Sequence, residues 1–327
     1  MTTTLLRLLC ARSGDATLDY GTLLGDGIEL VVGSATLIDA SRTSRAAGVG
    51  PCPGLRLLRL YAVGSTGATL SSVPAGAACA LPLAEFQDAA WLRAKLEELP
   101  HDAPVTVVVG GGLTGIETAV ELAERGRAVT LVCGRTPAPA FSAAGRCYIA
   151  TWLSRHGVAV LAGVSVSEVR QDAVILDDGS ADGPAGGAVR PSALTIWAAG
   201  FGVPDLAVAS GLRTDPLGRL LTNETLTIVD DDRVVAAGDA AARSGRPLRM
   251  SGYAAGPLGA QAADTVLSRI AGTRPAVLDL AFSGACVSLG RHAAVRQLAR
   301  KDDTAVNVYI RRSGRRSPCS STPPSSG

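Results

Sequence analysis

The chain has 327 residues, enough for two domains, and 47% of them are hydrophobic but only 4% aromatic, so Ala, Val and Leu must fill its cores. The formal net charge of +2 is unevenly placed. Arg291, Arg296, Arg300, Lys301, Arg311, Arg312, Arg315 and Arg316, against Asp302 and Asp303, leave the rest slightly acidic, which excludes a nucleic-acid-binding body.

Cys10, Cys52, Cys79, Cys133, Cys147, Cys286 and Cys319 form no CxxC pair, and His101, His156 and His292 are far apart. That spacing argues against a zinc site, a closely spaced redox disulfide and a Ser-His-Asp arrangement, and the odd count fits a reducing compartment. No apolar run reaches the roughly 18 residues of a membrane span. The opening MTTTLLRLLCAR, broken by Arg7, has no basic start of a signal peptide.

In chain order, Ile28–Val32 and Ala35–Ile38 read as short strands between glycine-bearing turns. Leu60–Thr66 reads as a strand ending in a small-residue turn. Pro82–Leu99 reads as a helix burying Leu81, Phe86, Ala89, Ala90, Leu92, Leu96 and Leu99. Val105–Val109 is a β-branched run of the kind buried on both faces of a parallel sheet. It feeds Gly110, Gly112 and Gly115, after which Ile116, Ala119, Val120 and Ala123 recur at helical spacing, with Glu117, Glu121, Glu124 and Arg125 mostly off that face. Gly126 ends that helix and Ala128–Val132 is the next strand. Arg146–His156 reads as a helix, Val158–Leu161 and Ala173–Leu176 as strands, and residues 180–190 as a loop. Thr195–Ala199 and Arg233–Ala237 are apolar strands, each running into glycine, and Leu258–Ala271 is a helix. After Asn307 a basic and then Ser/Pro-rich tail reads as disordered, the alternative being an arm for nucleic acid or an anionic membrane.

The strand–GxGxxG–helix unit is the most informative stretch. Gly110 permits a sharp turn, Gly112 lets phosphate approach the backbone, and Gly115 allows close packing of helix on strand. The free N–H groups at the helix start, through Leu113 and Thr114, would then carry a dinucleotide pyrophosphate; the alternative is a plain glycine-rich turn. A ribose-binding acid is expected about 20 residues on. Cys133-Gly134-Arg135 stands there instead. Arg135 is either a partner for a 2′-phosphate, which leans towards NADPH, or a solvated loop residue.

Taken in order, LYAVGS at 60–65, GGGLTGIE at 110–117, TIWAAGF at 195–201 and VVAAGDAAA at 234–242 resemble the FAD- and NAD(P)-dependent pyridine nucleotide oxidoreductases. The closer likeness is to single-component NADH dehydrogenases and related ferredoxin or quinone reductases. The resemblance covers roughly residues 15 to 300 and implies an α/β fold of two Rossmann-like modules. The NAD(P) domain would be inserted in a split FAD domain, which accounts for a glycine turn in mid-chain. It implies an FAD domain over 1–103 and 194–272, an NAD(P) domain over 104–193, a partial C-terminal domain over 273–307 and a disordered tail over 308–327. By resemblance, Gly110, Gly112 and Gly115 cradle NAD(P)H and Glu117 lies near the nicotinamide in a positioning role. Gly64, Ala199 and Gly200 sit at crossings between domains, and Gly238 and Asp239 meet the ribityl or phosphate part of FAD. Gly256, Pro257 and Leu258 form a loop and helix start facing the flavin ring. Read from its own neighbours, Asp239 is equally an N-cap before the Ala-rich start at Ala240.

The resemblance has gaps. No FAD-type GxGxxG turn precedes residue 110, as though the chain began roughly 40–50 residues late by comparison with the family layout. The pyrophosphate contacts of such a turn, up to ~2 kcal/mol each at a helix end, would be lost and FAD binding weakened. Residues 42–59 hold four Arg, two Pro and no acid where a hairpin is expected, and the tail lacks the rest of the family's C-terminal domain; shifted reading frames would produce such text. The expected reaction is hydride transfer from NAD(P)H to FAD and on to a quinone, ferredoxin or other acceptor. The flavin carries the chemistry and no protein nucleophile takes part. The rival is a flavin-deficient, inactive NAD(P)-binding fragment. A flavin-free dehydrogenase lacks support, because Tyr148 is the sole Tyr of 104–193 and that stretch has no Lys. The expected location is cytoplasmic, with homodimerisation and peripheral contact at the inner face of the membrane left open and no nucleic acid as partner.

Overall fold

The computed structural model describes residues 20–39, 58–67, 73, 76–177, 179, 187–244, 248–277, 279–280 and 284–312. Most of the arginine-rich stretch at 42–59, the centre of the 180–190 loop and the chain after Arg312 lie outside the described residues. Two compact units form. Of the described residues, those within 16–66 and 201–280 make up one, and those within 67–200 and 281–327 the other.

The second unit is built on a five-stranded sheet of parallel strands. Its spatial order is Ala80–Pro82, Leu194–Trp197, Val105–Val109, Val129–Cys133 and Ala159–Ala162. Consecutive Val105, Thr106 and Val107 are all buried, so both faces of this central strand are covered, as its β-branched run predicts. The chain steps outward from Val105–Val109 through the next two strands, then returns on the opposite side with Leu194–Trp197. The topological switch point therefore lies at the C-terminal ends of these two neighbours, where doubly wound sheets open a crevice.

The helix Leu113–Glu124 follows the central strand and buries Ile116, Ala119 and Val120. The helix Ala143–Arg155 begins at Ser142, whose hydroxyl accepts from Gly145 N, and buries Ile149 and Leu153. A three-stranded antiparallel sheet of Ser165–Val169, Ala173–Asp177 and Ala188–Pro191 completes this part. A second antiparallel sheet joins Gly284–Ser288, Ala294–Ala299 and Ala305–Arg312. The last strand runs through Asn307 to Arg312, so the tail expected to be disordered from 308 is ordered for five further residues by its ladder to Ala294–Ala299. The Arg311 guanidinium also lies 5.4 Å from the Tyr148 ring centre, a cation–π distance.

In the first unit Arg59–Tyr61 pairs in parallel with Val234–Ala236, and Leu220–Thr222 with Ala241–Arg243. Tyr61, Val203, Ala207, Leu212, Leu220, Ile228, Val234 and Ala236 share one core. Helix Gly252–Ile270 starts six residues before the expected Leu258, because Ser251 caps it by accepting from Ala254 N. Its buried Ala254, Leu258, Gln261, Ala262 and Thr265 trace one face at helical spacing.

Several expected elements differ. Ile28–Val32 and Ala35–Ile38 are not strands; Ile28, Val31, Val32 and Leu37 are exposed and no ladder pairs them. Leu60–Thr66 is not one strand: Leu60 and Tyr61 belong to Arg59–Tyr61, and Thr66 opens the separate short strand Thr66–Gly67. The helix expected from Pro82 begins at Phe86, because Ala80–Pro82 pairs instead with Leu194–Trp197; of its expected face Ala90 is exposed. Ala240–Ala242 does not start an α-helix. Gly238–Ala240 is a single 3-10 turn and Ala241–Arg243 enters a strand, so Asp239 is not the N-cap of an Ala-rich helix.

Candidate functional site

In the second unit the Val105–Val109 strand runs through Gly110, Gly111 and Gly112 into the Leu113–Glu124 helix, which holds Gly115 in its first turn. Gly110 sits at the switch point, and a Cβ on it would lie 3.4 Å from Ala199 Cβ and 3.7 Å from Ala199 Cα. Gly110, Ala199 and Gly200 thus come together where the two central strands end. Trp197 Nε1 donates to the Ala199 carbonyl at 3.1 Å, and Gly200 turns away at φ +81°. Gly111, which the pattern leaves unspecified, carries the left-handed turn: its φ is +88°, and a Cβ there would press within 3.2 Å of Pro139. Gly112 is the N-cap, exposed, with no side-chain cap and open space where a Cβ would stand. Leu113 is half-buried, while Thr114 and Gly115 are buried at the helix start. An uncapped helix start beneath an open glycine suits a diphosphate, because the first N–H groups of a helix lack internal partners.

Arg135 is exposed just past the Val129–Cys133 strand, its carbonyl accepting from Gly163 N at 2.9 Å. Cys133 beside it is buried, and burial pushes its thiol up to about 11, so it stays protonated and inert.

Glu117, expected off the apolar face of its helix and near the nicotinamide, is buried. It is only 6% exposed, because the C-terminal sheet covers that side of the helix. Oε1 accepts from Ser288 N at 2.8 Å, and Oε2 is buried with no partner. Burial outweighs that bond and pushes the carboxyl up to about 7. Further along the helix, Glu124 accepts from Arg291 N at 3.1 and 3.2 Å. Cys286, in the adjacent strand, has its thiol raised by burial and by the Glu117 charge.

The first unit holds Gly64, Gly238, Asp239, Pro257 and Leu258. Parallel pairing of Tyr61 with Ala236, continued by Ala237 N donating to the Tyr61 carbonyl at 2.9 Å, brings both strand ends out side by side. Gly64 and Gly238 both turn at φ +73°, each with open space at its Cβ position. Asp239 is half-buried between them; Oδ2 accepts from Ser65 Oγ at 2.7 Å and Oδ1 from Ser251 N at 3.0 Å. Gly256, Pro257 and Leu258 lie within the Gly252–Ile270 helix and Leu258 is buried, so the expected loop and helix start are at Ser251 and Gly252 instead. The sequence reading missed Ser65, Ser251 and Ser288. A Ser before an Ala-rich apolar run was a legible cap signal for Ser251. Nothing local marks Ser288.

Among the described residues no three His, Cys, Asp or Glu converge to hold a metal ion, and no helix is long and apolar enough to cross a membrane. Among the described residues Cys79, Cys133 and Cys286 are free thiols.

The architecture is that of an α/β oxidoreductase with Rossmann-like modules. Residues 59–263, more than half of the chain, match the model of the pyridine nucleotide-disulphide oxidoreductases, and the chain belongs to that family. An NADH dehydrogenase-like protein of Mycobacterium tuberculosis is 33% identical over 156 residues, covering 44% of this chain and 37% of that protein. The chain thus matches well under half the length of that relative. Among solved structures, an NAD-dependent persulfide reductase from A. fulgidus superposes with a TM-score of 0.62 at 20% identity, over 76% of this chain and 45% of that one. A ferredoxin reductase from Rhodopseudomonas palustris does so with a TM-score of 0.60 at 21% identity, over 75% and 58%. At such identities the likeness is one of fold.

Proposed function

We propose that this chain is an FAD-dependent NAD(P)H oxidoreductase that passes electrons from a nicotinamide nucleotide to a quinone, a ferredoxin-type carrier or a similar acceptor. The observation that carries the reading is the turn at Gly110–Gly112 on the switch point of the parallel sheet, with an open, uncapped helix start. There Gly110, Gly112 and Gly115, with the N–H groups of Leu113 and Thr114, bind the pyrophosphate of NAD(P)H. In the other unit Asp239, an acceptor-only carboxylate beside the bare backbone of Gly64 and Gly238, suits the hydroxyl-rich portion of FAD. FAD, when bound, supplies the redox chemistry, and the protein supplies orientation and charge. The names of the ferredoxin and persulfide reductases of like fold support a reductase reading, and for this chain an electron carrier as partner.

A second reading is a nicotinamide-nucleotide-binding module without flavin. It is favoured by one observation: among the described residues, the unit that holds Asp239 has no glycine-rich strand–turn–helix of its own. An absorbance spectrum of the purified protein, with and without added FAD, separates the two. Flavin bands bleached by NADH or NADPH support the oxidoreductase. A protein that cannot be reconstituted yet binds NADH supports the module.

A further inference from the structure

We propose that Ser65 is a positioning residue that fixes the Asp239 carboxylate for the hydroxyl groups of a bound polyol chain, the ribityl portion of the flavin nucleotide. The inference rests on the flavin reading above and adds a residue and a geometry to it.

Ser65 and Asp239 are 174 positions apart in sequence, and the parallel ladder is what joins them. The Arg59–Tyr61 and Val234–Ala236 strands end in register, Tyr61 opposite Ala236. Each then turns through a glycine at φ +73°, Gly64 on one side and Gly238 on the other. The next residue on each side is the polar one, and their side chains meet at 2.7 Å. The helix Gly252–Ile270 contributes the third contact, since its cap residue Ser251 gives its own N–H to Oδ1 at 3.0 Å.

Both carboxylate oxygens therefore hold one donor each, and these two bonds orient the group. A carboxylate offers about four acceptor positions, so two remain. The two glycines beside it have nothing within 4 Å of their Cβ positions, so backbone as well as carboxylate is open to a ligand there. A group that accepts but never donates selects a ligand rich in hydroxyls over a second anion. The C-terminal ends of parallel strands are where doubly wound sheets present such sites. Without the Ser65 hydroxyl, Asp239 keeps the Ser251 bond but can rotate about it, and a ligand must then order it on binding.

The test uses the full chain freed of flavin and titrated with FAD, following quenching of flavin fluorescence. Ser65→Ala is expected to raise the Kd for FAD about tenfold, the worth of one well-placed hydrogen bond. Ser65→Thr, which keeps the hydroxyl, should restore it to within about twofold, with the melting temperature of the flavin-free protein unchanged in both. Asp239→Asn should weaken binding at least as much, and the double variant no more than Asp239→Asn alone. Unchanged affinity in Ser65→Ala while Asp239→Asn binds weakly would overturn the positioning role and leave the flavin reading standing. A lowered melting temperature that tracks the affinity loss and is not rescued by Thr would overturn it too, marking a purely structural contact. Wild-type protein that binds NADH but no FAD would remove the flavin reading, and this inference with it.

Discussion

Ser288 gives its backbone N–H to Glu117 Oε1 at 2.8 Å, so the helix that follows the glycine turn is tied to the C-terminal sheet through a carboxyl whose other oxygen is buried without a partner. The bond is local, but its energetics depend on the proton.

Burial holds the Glu117 carboxyl up at about 7 against an ordinary 4.5. An acid that binds its proton more tightly when folded gives stability that is complete below about 4.5 and is lost as pH rises towards 7. Glu117→Gln removes the proton and keeps the shape, and Gln Oε1 can still accept from Ser288. The variant should be more stable than wild type at pH 8, by on the order of 1–3 kcal/mol, and close to it at pH 4. Thermal melts at the two pH values give the answer; equal effects at both would show that Glu117 is charged throughout.

Gly112→Ala separates binding from folding. The Cβ position is open and the backbone lies at φ −79°, which alanine adopts freely, so the melting temperature should be unchanged. A methyl group over the helix start should still weaken NADH binding, by about tenfold in an isothermal titration. Gly111→Ala is the contrast. At φ +88° and against Pro139 it should cost about 1–3 kcal/mol of stability with or without nucleotide.

Gln297 is a buried polar pin. Its Oε1 accepts from Ser142 N at 2.9 Å, at the start of the Ala143–Arg155 helix. Its Nε2 faces the carbonyls of Leu298, Val306 and Val308. Gln297→Leu strands these groups and should cost about 2–4 kcal/mol. Gln297→Glu, which turns a carboxylate on three carbonyls, should cost more. Urea denaturation of the two variants ranks them.

The Arg127 guanidinium closes the C-terminal end of the Phe86–Glu98 helix, donating to the carbonyls of Leu96, Leu99 and Pro100 at 2.5, 3.2 and 2.6 Å. Arg127→Ala should lower stability by about 1–2 kcal/mol, and Arg127→Lys should recover only part, since one ammonium cannot span the three acceptors. Nucleotide affinity should be unaffected by either, which distinguishes this residue from Gly112 in the same titration.

What the sequence made legible was what short-range physics determines. The Val105–Val109 run, the glycine turn and the apolar spacing of Ile116, Ala119 and Val120 each declare themselves within a dozen residues. Tertiary pairing decided the rest. Ala80–Pro82 became a strand because Leu194–Trp197 lay beside it, more than a hundred positions away. Ile28–Val32 had strand composition but gained no ladder. Glu117 reads as lying off the apolar face of its helix, and the bond that ties it down comes from Ser288, 171 positions away. The same holds for the Asp239 site: its carboxylate stood out beside Gly238, but Ser65 and Ser251 reach it only through the fold.

The unladdered segment has its own practical consequence. Ile28, Leu30, Val31, Val32 and Leu37 lie in irregular backbone with large exposed surfaces, interrupted by a single acid, Glu29. Sequences of this kind pair readily with copies of themselves, so the concentrated protein should self-associate through them and scatter light. Placing a lysine at Val31 or Val32, both freely exposed, should suppress that scattering without altering the melting temperature, giving a better-behaved chain for every titration described above.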